Sequence, residues 1–147
     1  MEKRPLPSAT AREAARRAAD HLASLPRVQL VMLFGSATDR DRPTVRDVDL
    51  AVRTDPPLTP DEILALRADL VTLAGCPIDL VALDAVSVVL AWEIADSGEC
   101  LFARTPDVET DFVLRARSRY WDFKFYLDEQ WRLAGERLQE RGRGPAS

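Results

Sequence analysis

Apolar positions fall along this chain in two rhythms. In "TAREAARRAADHLASL", from Thr10 to Leu25, Ala14, Ala18, Leu22 and Leu25 recur three or four apart. Ala11 and Ala15 widen that side, while Arg16, Arg17 and Asp20 lie elsewhere. The spacing predicts an amphipathic helix, opened by Thr10 and Glu13 as a capping box and stopped by Pro26. The segment "VQLVMLF" follows, apolar at six of its seven positions, as expected of a central strand. "DVDLAV" and "PIDLVAL" read as two further strands.

Between those two lies "TPDEILALRADLVTLAG". Thr59 is placed to cap, Pro60 takes the first helical position and Glu62 closes the box. Ile63, Leu66, Leu70 and Leu73 form the expected buried stripe, and Gly75 a left-handed exit. Strand, helix, strand is the order of a crossover, so the second and third strands are expected to be parallel neighbours. "AVSVVLAWEIADSG" predicts another helix ending at Gly98, and "CLFA" a short edge strand. From Val108 to about Leu138 a long helical stripe runs through Phe112, Ala116, Tyr120, Phe123, Leu127, Trp131, Ala134 and Leu138, as one helix or two. Trp121 and Phe125 form a second apolar pair on a neighbouring face, either buried against the domain or free to hold a partner; "RGRGPAS" reads as a frayed tail.

These elements give a mixed α/β fold: a small sheet flanked by helices, with a long aromatic C-terminal helix. Its 147 residues suit one domain, residues 1–147, with a core over about 22–103 and a helical extension over about 108–141. Apolar residues make up 46% and charged residues 30%, which leaves little room for long disorder. The formal charge of −4 argues against a nucleic acid as direct substrate, since such binding rests on phosphate neutralisation. Cys76 and Cys100 lack metal-ligand spacing and one histidine, His21, sits in the first helix, which argues against a Cys/His zinc site. Both cysteines read as small apolar residues. No apolar run has signal-peptide or membrane-spanning character, which makes the cytoplasm the expected compartment.

Strand alternation puts Asp47 and Asp49 on one face, with Val48, Leu50 and Val52 on the other. Two adjacent carboxylates repel, and burying them without partners is costly. A magnesium ion removes both problems, because it takes one or two carboxylates together with phosphate oxygens and water. Asp79, between Ile78 and Leu80, can approach the same side if its strand is the parallel neighbour. Three carboxylates are enough for two cations, one beside the attacking hydroxyl and one on a triphosphate. Upstream, Gly35 permits a close backbone approach, and Ser36 with the amides beyond it can hold phosphate.

Gly35-Ser36, the ten-residue spacer from Ala37 to Arg46, Asp47-Val48-Asp49 and the later Asp79 together resemble the polymerase-beta-like nucleotidyltransferases. The nearest resemblance is to the minimal nucleotidyltransferases that act as antitoxins in type VII toxin-antitoxin systems. The aromatic "RSRYWDFKFYLDEQW" also looks like that subgroup. The resemblance implies an adenylyltransferase that uses ATP and two Mg2+ ions to place AMP on a tyrosine of a cognate HEPN ribonuclease toxin. It implies metal ligation and catalysis by Asp47, Asp49 and Asp79, and nucleotide binding by Gly35 and Ser36. Two positions depart from the pattern. Asp39 stands where many members have arginine, which leaves Arg40 and Arg42 as candidates for the triphosphate, and Arg46 replaces a serine before the aspartate pair.

Plainer readings compete. The aspartates could lie on a solvated edge strand, Asp79 could merely start a strand after Pro77, Gly35-Ser36 could simply turn the chain, and Arg40, Arg42 and Arg46 could be a charged loop. Other functions are a noncatalytic antitoxin that shields its toxin, and a transferase for small molecules such as aminoglycosides. Polymerisation of nucleic acid is disfavoured by the acidic charge.

Overall fold

A computed structural model of the chain describes residues 4–142. In chain order the elements are β1 (Leu6–Pro7), α1 (Ser8–Ala23), β2 (Val28–Phe34), a 3-10 turn (Gly35–Thr38), β3 (Thr44–Val45), β4 (Val48–Thr54), α2 (Pro60–Ala74), β5 (Ile78–Ala82), α3 (Val88–Ser97), β6 (Glu99–Ala103) and α4 (Pro106–Gly142). Four strands form a mixed sheet in the order β5-β4-β2-β6. β2 is antiparallel to both β4 and β6, while β4 and β5 are parallel, as the strand-helix-strand order predicts. "CLFA" falls within β6, an edge strand that begins at Glu99.

The sheet buries both faces. Val31, Leu33, Val48, Leu50, Val52, Ile78 and Leu80 pack with the alanine side of α1 and with Leu70 of α2. Leu30, Met32, Ala51 and Leu83 pack with Ile94 of α3 and with Phe112 and Ala116 of α4. By alternation, Asp49 shares the face of Ala51. The second layer of helices thus covers the middle of that face, while Asp49 sits near the start of β4.

Three local expectations are corrected. α1 opens at Ser8 rather than after Thr10, and no side chain caps it. β1 pairs with β3 and brings the loop backbone over the helix start, where Ser8 N donates to the Pro43 carbonyl at 3.0 Å and Ser8 Oγ donates to that of Arg42. α3 begins only at Val88, because Ser87 caps it by accepting from Leu90 N at 3.1 Å. In α2 the Thr59–Glu62 capping box and the left-handed Gly75 are present. Of its predicted stripe only Leu70 is buried: Ile63 and Leu66 are half-buried and Leu73 is exposed, since α2 lies over the sheet's edge, against α1 and β5.

The aromatic segment is one helix of 37 residues. Its stripe is buried at Phe112 and Ala116, and Tyr120 stacks on Trp92 with ring centroids 4.5 Å apart. Beyond that point the helix outruns the sheet, leaving Phe125, Trp131 and Leu138 exposed. Arg141 and Gly142 of the predicted tail are helical; the rest of it lies outside the described residues. Both cysteines are free. Burial raises both thiols, Cys100 to about 11, which keeps them protonated at neutral pH. Among the described residues no helix is long and apolar enough to cross a membrane.

Candidate active site

β2 delivers the chain to Gly35, which takes the left-handed φ of 74°. The backbone then winds into the 3-10 turn, closed by Thr38 Oγ1 donating to the Gly35 carbonyl at 2.7 Å and anchored by buried Ala37. Arg12 of α1 pins this turn from behind. Its Nη1 donates to the Ala37 carbonyl at 3.2 Å, and its Nη2 meets Glu99 Oε2 at 2.6 Å. Glu99 also takes Arg40 Nη2 on Oε1, at 3.2 Å. Burial pushes Glu99 up, yet the hydrogen bonds and charges of Arg12 and Arg40 hold it below the usual carboxylate range.

Phe34 is the register partner of Asp49 across β2 and β4, so the chain turns at Gly35 directly beside that carboxylate. Asp49 is in turn the register partner of Asp79 across β4 and β5. In-register residues of adjacent strands point to the same side, so the predicted approach of the two carboxylate-bearing positions is realised. Asp47 immediately precedes β4, and its Oδ1 is shielded from solvent.

Two clefts meet at Asp47. One, of about 410 Å³, is lined by Ser36, Arg42, Arg46, Asp47 and Asp49 among others. The other, of about 450 Å³, includes Asp47, Arg67, Val71, Cys76 and Asp79. The structure therefore gathers Gly35, Ser36, Arg42, Asp47 and Asp49 on one side, with Asp79 next door. Arg40 is turned away to Glu99 and is largely exposed. Asp79 faces Arg67 of α2, with Oδ1 3.6 Å from Nη1. Among the described residues no three Asp, Glu, His or Cys side chains gather as a group that could hold a metal ion.

The donor set nonetheless suits a hard divalent cation. Asp47 and Asp49 supply two carboxylates to one cleft, and the missing side chain of Gly35 leaves room against Asp49. Magnesium is held by just such a pair, completed by phosphate oxygens and water. Arg12, Glu99 and Arg67 were not signalled by the sequence. Each reads as an ordinary polar position of a helix or strand, and only long-range folding gives it a role.

This geometry has a counterpart in sequence. A family model for polymerase beta nucleotidyltransferases matches residues 17–107. The chain belongs to that family. Among curated proteins none matches this nucleotidyltransferase. Solved structures share its fold. A chain from a toxin-antitoxin complex with AMP-PNP is 23% identical with a TM-score of 0.69, the alignment covering 84% of this chain and 98% of that one. A chain from a complex of tri-AMPylated Shewanella oneidensis HEPN toxin with MNT antitoxin is 23% identical with a TM-score of 0.65, covering 86% and 98%. A chain from an MntA-HepT toxin-antitoxin complex is 22% identical with a TM-score of 0.64, again covering 86% and 98%.

Proposed function

We propose that this nucleotidyltransferase is an antitoxin that moves AMP from ATP to a tyrosine hydroxyl of a cognate HEPN ribonuclease toxin, and so silences it. The observation that carries this reading is the placement of Asp47 and Asp49 in one cleft beneath the Gly35–Thr38 turn, with Asp79 in register beside Asp49. The solved toxin-antitoxin complexes of the same fold, one with AMP-PNP and one with an AMPylated HEPN toxin, support the nucleotide and the acceptor. The exposed aromatic half of α4 is in keeping with work on a second protein. We take the chain as one domain acting in the cytoplasm.

In this reading Ser36 and the amides of its turn hold the triphosphate, with Arg42 against its outer phosphates. Asp47 and Asp49 would hold Mg2+, and Asp79 would serve a second ion on the acceptor side. Magnesium, when bound, neutralises charge on the triphosphate and lowers the proton affinity of the attacking hydroxyl. The tyrosine oxygen forms a bond to the alpha phosphorus as the bond to the bridging oxygen breaks. Pyrophosphate leaves, and the phenolic proton passes to Asp79 and on to solvent.

Incubation with alpha-labelled ATP, Mg2+ and the cognate toxin tests this. Label is expected on the toxin, and none with the Asp47→Ala/Asp49→Ala protein. An unlabelled toxin that the double variant still neutralises fully would replace transfer with simple binding as the mode of action.

A further inference from the structure

The third carboxylate, Asp79, faces a cation of its own chain. Asp79 is the register partner of Asp49, so their Cα atoms stand roughly 5 Å apart, a normal strand spacing. The same β4–β5 pairing turns both side chains to one face. Still, no three acidic, His or Cys side chains among the described residues form a group that could hold a metal.

Asp79 faces Arg67 instead. That arginine reaches from α2 to β5, an edge strand of the sheet. There its Nε donates to the Ile78 carbonyl at 3.0 Å, while Nη1 stands 3.6 Å from Asp79 Oδ1. The first contact is a hydrogen bond from a fixed planar group to backbone at the sheet edge. It sets where the guanidinium lies, independently of Asp79. The second is an ion pair with both side chains about half exposed, at 45% and 49%. Such pairs are weak, so the carboxylate is held without being locked. Arg67 and Asp79 line the same cleft as Asp47, on its side away from Ser36 and Arg42.

We propose that Arg67 is the positioning residue of Asp79: it competes with divalent cations for the third carboxylate and thereby sets how readily the acceptor side of the site fills. The proposal rests on the nucleotidyl-transfer reading and adds to it a control on when three carboxylates act together. A carboxylate that spends part of its time on a guanidinium binds a cation with an apparent affinity lowered by that fraction. A doubly charged ion beside Asp49 outcompetes a half-exposed guanidinium, and the Ile78 anchor leaves Arg67 in place when Asp79 changes partners.

Binding of Mn2+, followed by electron paramagnetic resonance of the free ion with saturating AMP-PNP, tests this without turnover. Arg67→Gln is expected to tighten Mn2+ binding roughly two- to fivefold, the scale of a weak surface pair. Asp79→Asn is expected to weaken it. The double variant should match Asp79→Asn alone, because Arg67 acts only through that carboxylate. Arg67→Lys, which keeps charge but loses the planar anchor, should fall between wild type and Arg67→Gln. Unchanged or weaker Mn2+ binding in both Arg67 variants would overturn the proposal, as would an equal effect of Arg67→Gln with and without Asp79. Failure of the unaltered protein to take up Mn2+ with AMP-PNP would overturn the nucleotidyl-transfer reading itself.

Discussion

A Cβ placed on Gly35 would lie 2.3 Å from Oδ2 of Asp49. The glycine is therefore required twice, once for its φ of 74° and once for the space its neighbour's carboxylate occupies. Gly35→Ala should cost about 1–2 kcal/mol from the left-handed backbone alone, with a further loss as Asp49 is pushed aside. Urea unfolding would measure the total loss of stability. Nucleotidyl transfer should fall much further than stability does, because the displaced group is the one proposed to hold metal. A variant that transfers normally would show that Asp49 is not needed where it stands.

Asp47→Asn and Asp49→Asn keep the size of each side chain and remove its charge. Each is expected to lower label transfer at least about a hundredfold, the scale of losing a group that acts in the reacting centre. The fold should survive, since neither residue belongs to the buried apolar clusters. Circular dichroism of each variant beside the transfer assay separates the two outcomes. Near-normal transfer by either variant would remove that carboxylate from the mechanism.

What could be seen in the sequence was whatever local spacing controls. The strand segments, the Thr59–Glu62 cap, the Gly75 exit and the parallel pairing of "DVDLAV" with "PIDLVAL" all follow from period and order. The grouping of Gly35-Ser36 with Asp47 and Asp49 was implied by the family resemblance, whereas the antiparallel pairing of β2 with β4 that produces it was not read from the chain. β1 and β3 were invisible, being two residues each and held by pairing across the chain. Arg12, Arg67 and Glu99 were hidden for another reason. Arg12 is 87 residues from Glu99, and nothing near either residue marks the pair. The stripe of α4 was read correctly as a stripe, but periodicity does not tell where the rest of the domain stops covering it.

Arg27 joins the start of β2 to the start of α2. Its guanidinium donates to Glu62 Oε2 at 2.6 Å and to the Pro56 and Pro57 carbonyls at 2.8 and 2.7 Å. The hydrogen bond from Arg27, then that from the Thr59 backbone, lowers Glu62 from 4.5 to about 2. A carboxylate depressed in the folded state stabilises the fold above its unfolded pKa and loses that contribution as pH falls through the folded value. Wild type should therefore exceed Glu62→Gln in stability at pH 6, and the gap should close between about pH 4.5 and pH 2. Urea midpoints across that range provide the check. A gap that stays constant down to pH 2 would mean that the ionised carboxylate is not what Arg27 stabilises.

Along α4 the same stripe divides into a part that holds the domain together and a part that does not. Phe112 is 3% exposed, packed in the cluster with Leu30, Met32, Ala51 and Ile94, and its ring lies 5.7 Å from the Arg53 guanidinium. Trp131, nineteen residues further on, is 75% exposed. Removing Phe112's ring should leave a cavity and cost about 3–5 kcal/mol. Trp131→Ala should stay within about 0.5 kcal/mol, since an exposed side chain has little to lose on truncation. The larger residue is thus expected to matter less, a reversal that depends only on where the helix leaves the sheet. Matched urea titrations of the two variants, at low protein concentration and without the toxin, decide it. A large loss from Trp131→Ala under those conditions would mean that the far half of α4 folds back on the domain or on another copy, and that its apolar face is not open to solvent.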